Sequence, residues 1–308
     1  MFPLRIVLGL IVLIILVRHV DFSAFLSLSK FQIMALCAVI ATLMSTACIE
    51  AARLRSLTEN KYDFSTMTQT IFIAAFITNF TPSNIGGDGY KVFKIGKQRG
   101  YSSATALILL ERGVGLGVLL LGSITFAFFW GGAWVDEYYT LGTTVDLASY
   151  WNSLTQGLLA AVSVIFIVAL VFFRRAVRRV ASEFVEALIR LRLTALFKVL
   201  VITMLFHIVR ASSLCAVLAI IGESLDFTQA WVVITFTAVA SLVPLSIGAL
   251  GIREAAFVVA LAPFAIAAPE ALFVGLVFRA GSILQAAVGG FLTARGYSSA
   301  EPQNVEMK

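Results

Sequence analysis

Six apolar runs constrain this chain more than any other feature: 4–20, 31–50, 103–130, 153–173, 196–221 and 271–293. A helix needs roughly 20 residues to cross the ~30 Å hydrocarbon core of a bilayer. No water reaches the backbone there, so each run must satisfy its own polar groups, which an α-helix does. Composition agrees where it matters. Hydrophobic residues make up 60% of the chain and charged residues 13%, with a mean hydropathy of +0.96. Soluble domains stand near 45–50% apolar and about 25% charged. A soluble protein of this length would still need a charged surface, and this chain has none to offer.

Two further apolar pieces, 66–80 and 228–262, are short or broken, and the same grammar breaks both. Pro82-x-x-Ile85-Gly86-Gly87-x-Gly89-x-Lys91 aligns without a gap on Pro244-x-x-Ile247-Gly248-Ala249-x-Gly251-x-Arg253, 162 residues later. In a membrane, backbone freed by Pro and Gly persists only inside protein or beside a wet cavity. These stretches are therefore where a substrate would be handled.

The loops give direction. Arg174, Arg175, Arg178, Arg179, Arg190, Arg192 and Lys198 mark the central segment as cytoplasmic by the positive-inside rule. Arg53, Arg55 and Lys61 place 51–62 inside, and Lys91, Lys94, Lys97 and Arg99 do the same for 91–100. Segment 131–152 lacks Lys and Arg and carries Asp136, Glu137 and Asp146, so it faces outward. Segments 222–227 and 263–270 also lack cations. Parity follows: 66–90 starts and ends inside, whereas 228–262 starts and ends outside. Each is read as a re-entrant hairpin, turning at the break. A plain crossing at either place would mean that the charge count misplaces one short loop.

The expected architecture is all-α and polytopic, a single membrane domain over 1–308 with six full spans and two re-entrant helical hairpins. Repeat one covers 31–130 with its break at 79–91, and repeat two covers 193–293 with its break at 243–254. The two have opposite directions, an inverted-topology repeat of the kind that places a transport site at the repeat interface. Segment 174–195 reads as a cytoplasmic amphipathic connector, with Val177, Val180, Phe184, Ala187, Leu188 and Leu191 at helical spacing. Arg5 and the apolar run to Val17 have the outline of a signal peptide, but no small-residue cleavage site precedes the next apolar run. The run is read as a retained first helix, which leaves both termini cytoplasmic.

A net charge of +6 points to anionic lipid rather than nucleic acid, because the cations lie in short segments between apolar runs. Cys37, Cys48 and Cys215 sit far apart in apolar segments, and His19 and His207 are the two histidines. No disulfide framework, metal site or cofactor is expected from them. Nucleophilic triads and phosphate loops are absent from the sequence.

Ionisable groups at membrane depth each cost roughly 2.5–3.5 kcal/mol, so they are informative. Asp88 and Lys91 lie in the first break, Arg253 and Glu254 after the second. Glu111 and Arg112 lie about two turns into 103–130, Arg279 near the middle of 271–293, Arg210 within 196–221, and Glu50 at the end of 31–50. Glu111 or Glu254 could pair with Arg279 or Arg210 and hold the repeats in register. Asp88 reads as the partner of a neighbouring cation. The excess of arginine leaves positive charge for an anion, and the planar guanidinium suits phosphate. Exposed N–H groups of Gly86, Gly87 and Gly248 and adjoining helix N-termini add partial positive charge. Thr81, Pro82, Ser83, Asn84, Pro244, Ser246 and Gly251 complete the candidate substrate site.

These motifs, Thr81-Pro-Ser-Asn-Ile-Gly-Gly-Asp88, Glu111-Arg112 and Pro244-Leu-Ser-Ile-Gly-Ala-Leu-Gly-Ile-Arg-Glu254, resemble those of the flippase-like membrane domain of lysylphosphatidylglycerol synthases. The resemblance covers nearly the whole chain. Ala249 stands where that family commonly has Gly. It implies a bacterial inner-membrane protein that moves an anionic or modified phospholipid, or another lipid-phosphate headgroup, between leaflets. The soluble domain that transfers lysine in bifunctional members is not in this sequence, so a transporter rather than an enzyme is expected. A lipid-headgroup-modifying enzyme using Asp88 or Glu111 as base, and an accessory subunit of a lipid-synthesis complex, remain as alternatives. Expected partners are the membrane lipid and either a second copy or a lipid-synthesis enzyme, with no nucleic acid.

Overall fold

The computed structural model describes residues 28–81, 85–140, 182, 193–242 and 248–296. Among them are eight α-helices and no strand: α1 Lys30–Leu57, α2 Phe64–Thr78, α3 Ile85–Arg99, α4 Tyr101–Thr140, α5 Leu193–Ile220, α6 Phe227–Ala240, α7 Ile252–Leu261 and α8 Ala268–Ala294. Four stretches are long and apolar enough to cross a membrane: Lys30–Leu57, Tyr101–Phe126, Thr194–Ile220 and Ala268–Ala294. They coincide with four of the six runs read from sequence. The runs 4–20 and 153–173 lie outside the described residues, as do the connector 174–195 apart from Ser182 and 193–195, and the tail after 296.

Helix lengths repeat. α1 and α5 each have 28 residues, α2 and α6 have 15 and 14, and each pair is followed by a break, a short helix and a long one. At 1.5 Å per residue α2 and α6 are about 22 Å long, short of the ~30 Å core. Their starts are set alike. Asp63 caps α2 by accepting from Ser65 N–H at 2.9 Å, and Asp226 precedes α6 with its N–H donated to the Gln229 side chain at 3.0 Å.

Packing follows the same exchange. α1 lies against α5, α2 against α8, and α6 against α4. Swapping the halves returns the first pair to itself and converts the second into the third. Pairs α2–α3 and α3–α4 likewise map onto α6–α7 and α7–α8. Close approach depends on two glycines, each the twenty-second residue of its helix. A Cβ at Gly289 would strike the Phe72 carbonyl of α2, and one at Gly122 the Trp231 indole of α6. Polar side chains stitch the rest. Trp231 Nε1 donates to Leu119 O at 3.1 Å, Gln285 Nε2 to Leu43 O at 3.0 Å, and Gln32 Nε2 to Ile220 O at 2.7 Å.

α2 and α3 form a helical hairpin whose two outer ends meet. Arg99, at the end of α3, donates to Thr58 O and Glu59 Oε2, both at 3.2 Å, just before α2 begins. Tyr62 Oη donates to Ile95 O at 3.3 Å. Two expectations need correction here. Arg53 was counted as a loop cation, but α1 runs on to Leu57 and Arg53 is buried. Segment 91–100 was counted as a loop, yet α3 extends to Arg99 and buries Lys91 and Lys94. Arg55, Lys61, Lys97 and Arg99 remain as the cations at that end.

Candidate functional site

The two breaks touch. α2 ends at Asn79 and α6 at Ser241, with nearly the same backbone angles (φ −68°, ψ −15° and φ −70°, ψ −11°). Beyond them the Gly248 N–H donates to Thr81 O at 3.0 Å, joining one break directly to the other. The duplicated motif does not fold identically in its two copies. Gly86 and Gly87 already lie in the first turn of α3, whereas Gly248 to Leu250 form a turn and α7 starts only at Ile252. Gly248, Ala249 and Gly251 have φ of +58°, +53° and +79°. Glycine adopts that left-handed region freely, but Ala249 carries a Cβ into it.

Turning the backbone at membrane depth frees carbonyls, and Arg279 collects them. Its Nη1 donates to Gly248 O and its Nη2 to Ala249 O, both at 2.8 Å. The other edge grips Glu254, with Nε to Oε1 at 2.7 Å and Nη2 to Oε2 at 3.2 Å. Glu254 is fully buried and also accepts from the Gly251 N–H at 2.8 Å, capping α7. Arg279 and Glu254 are thus engaged in holding the second break.

The first half carries an alternating chain of charge. Glu111 Oε1 accepts from Arg53 Nη2 at 2.8 Å and Nε at 3.2 Å, while Oε2 meets Lys91 Nζ at 3.4 Å. Lys91 Nζ lies 3.9 Å from Asp88 Oδ1. Arg112 then forks Asp88, Nη2 to Oδ1 at 2.8 Å and Nε to Oδ2 at 3.0 Å. Arg112 and Arg279 are each the twelfth residue of their helices, and each clasps a carboxylate on the short helix before it. Burial differs as well: the Arg112 and Asp88 side chains are 41% and 24% exposed, those of Arg279 and Glu254 8% and 0%.

Between these clusters lies a cavity of about 180 Å³ walled by both halves. α1 supplies Leu43, Thr46 and Glu50, α2 with its end supplies Ala74, Thr78 and Asn79, and α3 supplies Gly87, Asp88 and Lys91. Arg112 comes from α4, Phe206 and Arg210 from α5, Gly248 and Arg253 from the second break and α7, and Phe278, Arg279, Ser282 and Gln285 from α8. Two of the cations have no carboxylate partner among the described residues. Arg253 Nη1 donates to Ser282 Oγ at 3.0 Å. Arg210 stacks on Phe206 and Phe278, its Cζ 5.7 and 5.8 Å from the ring centres, and its buried Nε has no hydrogen-bond partner.

Of the residues singled out in the sequence, Gly87, Asp88, Lys91, Arg112, Gly248, Arg253 and Arg279 line this cavity. Glu111 and Glu254 stand behind it in ion pairs, Gly86 packs on the Thr81 side chain, and Gly251 precedes α7. Pro82, Ser83, Asn84, Pro244 and Ser246 lie outside the described residues. Sequence reasoning read Arg53 as a loop cation and Asn79 only as the start of the first break, and it recorded Glu50 and Arg210 as membrane charges without placing them at the site. Their signal was the cost of a charge or amide in an apolar run, which Gln285 also carries.

The model of the family described as the lysylphosphatidylglycerol synthase TM region matches residues 2–289. No curated protein and no solved structure matches the chain.

Proposed function

The chain belongs to the lysylphosphatidylglycerol synthase transmembrane-region family, and on that premise we propose that it moves a lipid with a phosphate-bearing headgroup between leaflets. One observation carries the reading: Arg210 and Arg253 face a polar cavity between the halves, and neither forms an ion pair with a carboxylate among the described residues. An uncompensated arginine at membrane depth costs several kcal/mol, so a fold that keeps two gains by meeting an anion there. The acyl tails stay in the bilayer while the headgroup passes the junction of the two breaks.

In this reading α2–α3 and α6–α7 are re-entrant hairpins entering from opposite faces, the tips of an inverted repeat. Three facts support it: their helices are too short to cross, the outer ends of α2–α3 meet, and helix packing is preserved when the halves are exchanged. The cations retained at the outer end of α2–α3 support an orientation with that end at the cytoplasmic face of an inner membrane. Transport is favoured over headgroup chemistry because Asp88 and Glu111, the carboxylates a lipid-modifying enzyme would use as base, are both bound by cations.

The test is translocation in vesicles reconstituted with the full chain and a labelled anionic phospholipid. Arg210→Ala and Arg253→Ala should each slow movement about tenfold or more, the worth of one charge-assisted hydrogen bond. Wild-type rates in both variants would remove the site.

A further inference from the structure

Among the described residues the charges around the cavity can be counted, and the count bears on which phosphate the cavity suits. Seven charged side chains line it: Glu50, Asp88, Lys91, Arg112, Arg210, Arg253 and Arg279. Arg53, Glu111 and Glu254 join by direct ion pairs with one another or with members of that set. Six cations against four carboxylates leave two positive charges. In the first half Arg53, Lys91 and Arg112 are matched in number by Glu50, Asp88 and Glu111, and in the second Arg279 is paired with Glu254, so by count the surplus falls on Arg210 and Arg253.

We propose that the headgroup this cavity takes is a phosphomonoester dianion, held between Arg210 and Arg253. The inference rests on the translocase reading and narrows it. A phosphodiester carries one negative charge and would leave one buried guanidinium uncompensated, whereas a monoester at neutral pH carries nearly two. A monoester also presents three terminal oxygens, and the donors match that number better than two. The Arg210 guanidinium lies over the Phe206 and Phe278 rings and has an unpartnered Nε on its edge, while Arg253 uses one nitrogen on Ser282. Guanidinium edges of this kind bind phosphate oxygens two at a time. Volume agrees: 180 Å³ lies below the roughly 300–1,000 Å³ of pockets that enclose a drug-sized ligand, which fits a bare phosphate better than one extended by a sugar.

The experiment compares two lipids with identical acyl chains in phosphatidylcholine vesicles containing the full chain, each measured over protein-free vesicles. Phosphatidic acid is the monoester probe and phosphatidylglycerol the diester. At pH 7.5 phosphatidic acid should move about tenfold faster, a preference matching the second charge-assisted contact. That preference should fade as pH falls through about 6, where the monoester dianion takes up a proton and becomes a monoanion, while phosphatidylglycerol stays flat. Glycerol 3-phosphate and inorganic phosphate at millimolar concentration separate the sources. Weak competition by either supports a lipid-borne phosphate, and uptake of the soluble anion instead of the lipid overturns it. Equal rates for the two lipids, both slowed by Arg210→Gln and Arg253→Gln, would overturn the monoester assignment and leave the translocase standing. Indifference of both lipids to both arginines would overturn both. The wild-type lipid ratio and its pH profile decide the question even if a variant fails to fold.

Discussion

Arg112 and Arg279 allow the same substitution to be made at equivalent places in two environments. Arg279→Ala removes four hydrogen bonds at once, two from the Gly248 and Ala249 carbonyls and two from Glu254. Glu254 is fully buried, and among the described residues no second cation pairs with it. Stranding one partner of a buried pair costs about 3–5 kcal/mol. Arg112→Ala removes a fork of the same chemistry from Asp88, but that carboxylate is partly exposed at the cavity and keeps Lys91 at 3.9 Å. The expected cost is that of an exposed pair, about 0–1 kcal/mol. In detergent, the midpoint of thermal unfolding should fall by on the order of 10 °C for Arg279→Ala and by about 2 °C for Arg112→Ala. Adding Glu254→Gln to Arg279→Ala keeps the cap on the Gly251 N–H, removes the stranded charge, and should recover part of the loss. Equal shifts for the two single variants, or a double variant no better than Arg279→Ala, would refute the argument that Arg279 serves the break.

Two further substitutions follow from backbone geometry, both read by the same unfolding measurement. Gly289→Val would drive a side chain into the Phe72 carbonyl and push α8 off α2, costing about 1–3 kcal/mol; a variant as stable as wild type would deny the close approach. Ala249→Gly should stabilise by about 0.5–1 kcal/mol, because relief at φ +53° exceeds the added freedom of the unfolded chain, and a loss of stability would contradict that turn.

The spans described by the structure were legible in the sequence because a run near 20 apolar residues leaves the backbone one solution. The break at 79–91 was legible as a place but not as a shape, since Ile85 to Lys91 continues as helix once Gly87 lets α3 pack on Thr78. Asp88 was read as the partner of a cation, and that contact is present; of the pairings open to Glu111 or Glu254 with Arg279 or Arg210, Glu254 with Arg279 forms, within repeat two rather than across the repeat interface. Arg53 escaped because charge alone cannot distinguish a loop cation from one turned inward, and the partner that turns it, Glu111, is 58 residues away. The match between Arg112 and Arg279 was hidden by spacing. The duplicated motif repeats after 162 residues, but the second break holds its turn longer, so helices after it are displaced by 167.

That displaced register explains why a fold with two similar halves carries its spare charge in one of them. The residue before Arg112 is Glu111, which gathers Arg53 and Lys91 into one chain of ion pairs; the residue before Arg279 is Phe278. Where the first half places a carboxylate, the second places a ring, and a ring can stack on Arg210 without cancelling its charge. Arg210 is itself the eighteenth residue of α5, and the eighteenth of α1 is Ala47. With Glu50 of α1 counted, the first half therefore balances three cations with three carboxylates, and its break and pairs serve as scaffold. Among these residues the second half is left with two guanidiniums more than it has carboxylates, and their counter-charge must come from outside the set. A site built this way is cationic only where the two halves differ, and its preference for an anion depends on that difference more than on the shared motif.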